Sequence, residues 1–208
     1  SRAADEDWIL SKHYDGKRFH NSNGSDKHLG DVSRFLWTSL SNEKPWPKWL
    51  ENPPADIIAP RVTEGLRATY INHATVLIQV AGLNILTDPV WSKRVSPVAF
   101  AGPKRVRAPG IPISDLPEID LILISHNHYD HLDTKSLKAI RAQQDQAPLI
   151  ISGLGNQKLL RKLGYDTAVE LDWNESRTLG ETTIHFVECQ HRSGRGVFDQ
   201  MKKIGRAS

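Results

Sequence analysis

Residues 119–133 read IDLILISHNHYDHLD. Apart from Asp120, the run IDLILI (119–124) is apolar and continuous rather than alternating, which suits a strand covered on both faces. Coordinating chemistry follows it at once, with three histidines and two aspartates within residues 124–133. Open sheets place their chemistry at such positions, because the loops outside the carboxyl ends of strands converge on one crevice. His126 and His128 are two apart, so in extended backbone both imidazoles project from one face and can share a metal ion. Asp130 and His131 fall where the chain turns toward a helix, and can address a second ion beside the first. A lone histidine is more often hydrogen-bonded than ligating. Four metal-competent residues in six positions after a buried strand point to metal binding.

The flanking sequence sets this strand in a sheet. Upstream, RATYIN (67–72), ATVLIQV (74–80) and LNILTD (83–88) are β-branched runs, the last two joined by a tight turn at Ala81-Gly82, and read as a meander. A proline- and glycine-rich loop (Pro89 to Pro117) leads to the central strand. Downstream come a helix from Thr134 to about Gln144 capped by Asp133, a strand at Leu149–Ser152, and a helix from Asn156 to Leu163 stopped by Gly164. A short strand near Val169 and a last one in TTIHFVE (182–188) complete the pattern. This alternation predicts a sheet with helices on its outer face. Residues 1–60 are polar and rich in turn formers, with one short helix at Val32 to Leu40 after Asp31, and read as an extended arm. Trp37, Trp46 and Trp49 are expected to pin that arm to the domain at 61–208.

The chain has 208 residues, 25% of them charged and 38% hydrophobic, which suits one globular domain with an arm. Its net charge of +3 neither demands nucleic acid nor excludes an anionic surface. The single cysteine, Cys189, rules out an internal disulfide and CxxC chemistry, so His and carboxylate must hold any metal. No apolar run is long enough to span a bilayer and no signal-peptide pattern opens the chain. The first residue is Ser1 rather than Met, which suggests a removed leader or anchor and leaves localisation open between the cytoplasm and a membrane surface.

HNHYDH (126–131) resembles the HxHxDH signature of the metallo-β-lactamase superfamily. Together with YINHATVLIQVAGLNILTDPVWS (70–92) and QHRSGRG (190–196), it makes the stretch from about Arg61 to Phe198 similar to bacterial, RomA-like relatives of N-acyl-phosphatidylethanolamine-hydrolysing phospholipase D. The resemblance implies an α/β fold, the αββα sandwich, with two metal ions, usually Zn2+, at the edge between two sheets. His126, His128 and His191 would hold the first ion, and Asp130 and His131 the second. Three neutral imidazoles leave zinc one position for water, whose pKa falls to about 7. Asp130 would then orient the resulting hydroxide and carry a proton to the leaving group. The implied function is a metal-dependent hydrolase of phosphodiester bonds in N-acyl phospholipid-like substrates. The alternatives are a lactonase or nuclease of the same fold, or a shortened non-catalytic protein that binds metal or membrane.

Two further residues are candidates for the cleft. Asp88 could accept a hydrogen bond from the far nitrogen of a ligand histidine, the alternative being a strand-terminating turn residue. His73 lies at a turn between two strands and would line the cleft, or bond only to backbone. Neither His73, His185 nor the arm histidines His13, His20 and His28 is assigned to metal. Lys104, Arg105 and Arg107 form a basic loop, solvated or approaching a phosphate headgroup or anionic leaflet. Peripheral membrane contact and a lipid-like substrate follow from that second reading; nucleic acid is not expected. Only 17 residues follow His191, whereas the family takes a bridging aspartate and a last histidine from further downstream, and Asp199 lies too close to His191 to match. The second sheet is therefore expected to be largely absent and the inner face of the first uncovered, favouring oligomers or marginal stability.

Overall fold

The computed structural model describes residues 20, 47–53, 57–96, 104–189, 191, 194 and 195. The expected helix at 32–40, Trp37, Trp46 and Asp199 lie outside the described residues. Six strands form the main sheet in chain order: β1 (Leu66–Asn72), β2 (Thr75–Val80), β3 (Leu83–Thr87), β4 (Leu121–Ile124), β5 (Leu149–Gly153) and β6 (Val169–Leu171). The first three pair antiparallel as a meander, and β3 to β6 pair parallel. Register runs true across five strands, with Ala68, Ile78, Ile85, Leu121 and Leu149 in one row. The β2–β3 turn places Ala81 (φ 50°) and Gly82 (φ 74°) both in the left-handed region, as a two-residue turn matched to strand twist requires.

Two helices cover one face. In α1 (Thr134–Gln143) Asp133 is the N-cap and accepts from the Lys135 backbone N–H, while Leu137 and Ile140 are buried. They pack with Leu77, Leu86, Ile122, Ile124 and Ile150 from the sheet and with Leu160 of α2 (Gln157–Lys162). Gly164, at φ 90°, ends α2 where a side chain would be strained.

Among the described residues the opposite face is only partly covered. A separate hairpin, β7 (Ser176–Leu179) and β8 (Thr182–His185), brings Trp173 and Phe186 against Ile85, Leu121, Ile151 and Leu171. This is the start of a second layer. Over β1 nothing comparable is described, and Leu66 and Tyr70 remain 66% and 64% exposed. β7 was not anticipated, and the strand expected across TTIHFVE stops at His185, with buried Phe186 continuing its alternation and bonding Glu175 O and Asn174 N–H. Of the arm, Leu50 N–H donates to Val106 O (2.7 Å) and the Asn52 amide to Ala108 O (2.9 Å), while Trp49 is 47% exposed. Backbone and amide bonds, rather than that indole, tie this segment down. No helix among the described residues is long and apolar enough to cross a membrane.

Candidate metal centre

Parallel pairing of β3 with β4 sets Asp88, just past β3, beside Ser125, just past β4. Asp88 N–H donates to Leu123 O (2.9 Å), while its own carboxylate takes three donors: Ser125 N–H (2.7 Å), Ser125 Oγ–H (2.6 Å) and His131 Nδ1–H (2.8 Å). With the serine proton committed to Asp88, Ser125 Oγ accepts from His126 Nδ1 at 2.9 Å. With Nδ1 of each ring turned to Ser125 or Asp88, Nε2 of both histidines is directed away from Asp88, the ring orientation a metal ligand needs.

Their remaining nitrogens fall into two donor groups. His126, only 1% exposed, faces His128 with Nε2 to Nδ1 at 2.9 Å, and its ring centroid lies 4.4 Å from that of His191. The donor atoms of these three lie within 4.8 Å of one another. In the second group His73 Nε2 lies 3.1 Å, and His131 Nε2 3.7 Å, from Asp130 Oδ2, again within the 4.8 Å span. The groups adjoin, with the His126 and His131 centroids 4.0 Å apart. Three imidazoles, and two imidazoles with a carboxylate, are donor sets that suit borderline divalent ions such as zinc, so the residues present fit the implied metal.

The structure thus brings together all five residues of the sequence-derived ligand set and places Asp88 behind His131. It adds His73, which the sequence reading had left out of the metal groups. His73 (φ 46°) and Asp88 (φ 34°) are non-glycine residues in the left-handed region, conformations that persist where the surroundings over-determine them. His185 is exposed on β8, and His20 is exposed too.

Residues 194 and 195, just past His191, are fastened to the loop that carries His126 and His128. Gly194 N–H donates to Asn127 Oδ1 (2.7 Å), and Arg195 Nη1 donates to Asn127 O (3.1 Å) and Leu132 O (2.6 Å). The Arg195 guanidinium carbon lies 4.0 Å from the Tyr129 ring centroid, and Tyr129 Oη donates back to Arg195 O (2.7 Å). The two non-ligand positions within HNH and HYD therefore hold the third histidine in place. Sequence reasoning missed this clamp, although the arginine stood in the quoted QHRSGRG.

The basic loop needs one correction. Arg105 is half-buried and turned onto the backbone: Nη2 and Nε donate to Ser92 O (2.9 and 3.1 Å) and Nη2 to Val90 O (3.2 Å). Burial lowers its pKa, with nearby Asp133 opposing that shift. Lys104 and Arg107 remain exposed.

Fold and donor sets together define a metal-binding α/β protein with paired sites at the strand-end edge of its sheet. The family model described as the beta-lactamase superfamily domain matches residues 83–205, and the chain belongs to that family. It is 40% identical over 149 residues to N-acyl-phosphatidylethanolamine-hydrolyzing phospholipase D 1 of Caenorhabditis elegans, covering 67% of this chain and 42% of that protein. With the mitochondrial N-acyl-phosphatidylethanolamine-hydrolyzing phospholipase D of Saccharomyces cerevisiae it shares 35% identity over 140 residues, 65% of this chain and 29% of the other. Among solved structures, CmlA, a diiron beta-hydroxylase from Streptomyces venezuelae, is 28% identical with a TM-score of 0.45, covering 61% of this chain and 24% of that one. The chain spans about two fifths or less of the length of these curated relatives.

Proposed function

We propose that this chain carries the metal centre of a hydrolase that cleaves phosphodiester bonds in N-acyl phospholipid-like substrates, with zinc as the metal. The observation that carries the reading is the convergence of His126, His128 and His191 on one point, with Asp130 and His131 beside them. The two phospholipase D relatives supply the substrate class by similarity. Zinc bound at such a donor set polarises phosphoryl oxygens and lowers the pKa of water to about 7. The protein's own contribution is placement. Asp88 and Ser125 fix the ring orientation of His131 and His126, and Asp130 Oδ2 stands between His73 and His131 at the mouth of the site. That oxygen is placed to orient the attacking water and to pass its proton toward the leaving oxygen.

The test is hydrolysis by zinc-loaded protein of N-acyl phosphatidylethanolamine in micelles, against a lactone and against DNA. Lipid cleavage faster than either, with two metal ions per chain by mass spectrometry, is the expected result. Asp130→Asn should then lower turnover by roughly 10²–10⁴-fold while leaving the circular dichroism spectrum unchanged. Lactone or DNA turnover without lipid cleavage would overturn the substrate class.

A further inference from the structure

His73 and Asp130 stand 57 residues apart in the chain, and His73 and His131 face one oxygen of that aspartate. Nε2 of His73 lies 3.1 Å and Nε2 of His131 3.7 Å from Asp130 Oδ2, and the two rings meet edge to face with centroids 5.1 Å apart. One segment sets both rings. Residues 87–90, at the end of β3 and just past it, hold the β1–β2 turn on either side of His73: Asn72 Nδ2 donates to Val90 O (3.0 Å), Thr87 Oγ1 to Ala74 O (2.7 Å) and Thr75 Oγ1 to Asp88 O (2.7 Å). In the same segment the Asp88 carboxylate accepts from His131 Nδ1 (2.8 Å). The left-handed φ of 46° at His73 and the register shift between Tyr70 and Asn72 are thus held by bonded neighbours, so the imidazole reaches Asp130 from a fixed turn.

The two donor groups differ in kind. Three imidazoles around buried His126 suit zinc, whereas two imidazoles and one carboxylate with open positions suit a six-coordinate ion such as Fe2+. The second group has room for further ligands: the His73 and Asp130 side chains are 50% and 38% exposed and line a cleft of about 530 Å³. We propose that His73, Asp130 and His131 form a cation site of their own for a six-coordinate divalent ion, Fe2+ by its donor set, loaded separately from the zinc held by the three imidazoles. The sequence reading sought the remaining ligand of the second ion downstream of His191; this site is complete within residues 73–131 and takes that ligand from upstream. The assignment deepens the proposed function and rests on it only for the presence of zinc in the first group.

Mn2+ is the probe, since it shares the six-coordinate habit, is stable in air and is visible by electron paramagnetic resonance. Protein carrying one equivalent of zinc and no substrate is titrated with Mn2+. One Mn2+ per chain is expected, with the zinc retained and two imidazole nitrogens coordinated to manganese by electron spin-echo envelope modulation. The variant to compare is His73→Asn, because asparagine tolerates the left-handed turn while the imidazole is lost. It should bind Mn2+ at least tenfold more weakly, with one imidazole nitrogen, and keep its zinc affinity within twofold. Two imidazole nitrogens at unchanged affinity in His73→Asn overturn the assignment and leave His73 a hydrogen-bond partner of Asp130. A single imidazole nitrogen in the unsubstituted protein overturns it whatever the variant does, as does Mn2+ that binds only by displacing the zinc or not at all. Because no substrate is present, a Mn2+ site that depends on His73 stands even where the zinc-loaded protein cleaves no lipid, and loss of that site leaves the test of the hydrolase reading untouched.

Discussion

At Asp88 the backbone holds a φ of 34°, a conformation that costs an ordinary residue on the order of 1–2 kcal/mol, and the carboxylate gains three donors from it. Asp88→Asn tests that exchange. An asparagine amide replaces one carboxylate oxygen by an NH2 donor, so it cannot receive Ser125 N–H on one side and Ser125 Oγ–H with His131 Nδ1–H on the other, and the His131 tautomer is no longer fixed. Zinc affinity, measured by competition with a chromophoric chelator, should fall roughly 10–100-fold with little change in circular dichroism. An unchanged affinity would reduce Asp88 to a turn residue. The sequence made part of this legible. The two-residue spacing of His126 and His128 follows from strand geometry, and Asp130 and His131 follow from their place after the strand. The nearness of His73 to Asp130 did not, because 57 residues separate them and the approach depends on a left-handed turn that spacing cannot show.

Strands and helices with an apolar period were legible as elements. β1 to β6 and both helices fall within a residue or two of the boundaries expected from alternation, the Asp133 cap and the Gly164 stop. β7 was hidden because Ser176, Arg177 and Thr178 are polar and exposed, leaving no alternation to read. The contact between the helices is carried by Tyr165, fully buried, whose Oη donates to Leu137 O in α1 (2.7 Å). Burial raises its pKa above the ordinary value of about 10. The sign follows: the folded state keeps the proton where the unfolded chain releases it. This contribution to stability is therefore full below about pH 10 and is lost as pH rises through the raised folded value. Tyr165→Phe should cost about 1 kcal/mol at pH 7 and flatten the alkaline decline, as read by urea unfolding at pH 7 and about pH 10.5. At the loop after β4, Arg195→Ala removes the bonds to Asn127 O and Leu132 O together with the stack on Tyr129. About a tenfold loss of zinc affinity is expected, seen with cobalt as an altered visible spectrum of the three-imidazole site. Arg195→Lys should recover only part, since an ammonium lacks the planar guanidinium that stacks on Tyr129.

Across the whole molecule the metal centre is also a structural junction. Its candidate ligands come from the β1–β2 turn, the loop after β4 and the segment at 191, and among the described residues a two-stranded hairpin backs the sheet on its second face. The layer order of sheet and helices was readable from strand–helix alternation. The clamp joining 194–195 to 127–132 was not, because its partners lie more than sixty residues apart and meet only once the sheet has formed. An ion shared between such segments binds the folded state and not the unfolded chain, so it should stabilise the fold by about 2.7 kcal/mol at a free concentration one hundred times its Kd. Thermal melts with zinc and with EDTA measure this. EDTA is expected to lower Tm and to speed amide exchange first in the segment around His191, whose ligand bond is lost while the strand pairing of β3 with β4 persists. In His126→Ala the zinc-dependent rise in Tm should shrink, because the most buried donor of the first group is gone. A His126→Ala protein that still gained the full increment would place the stabilising ion elsewhere.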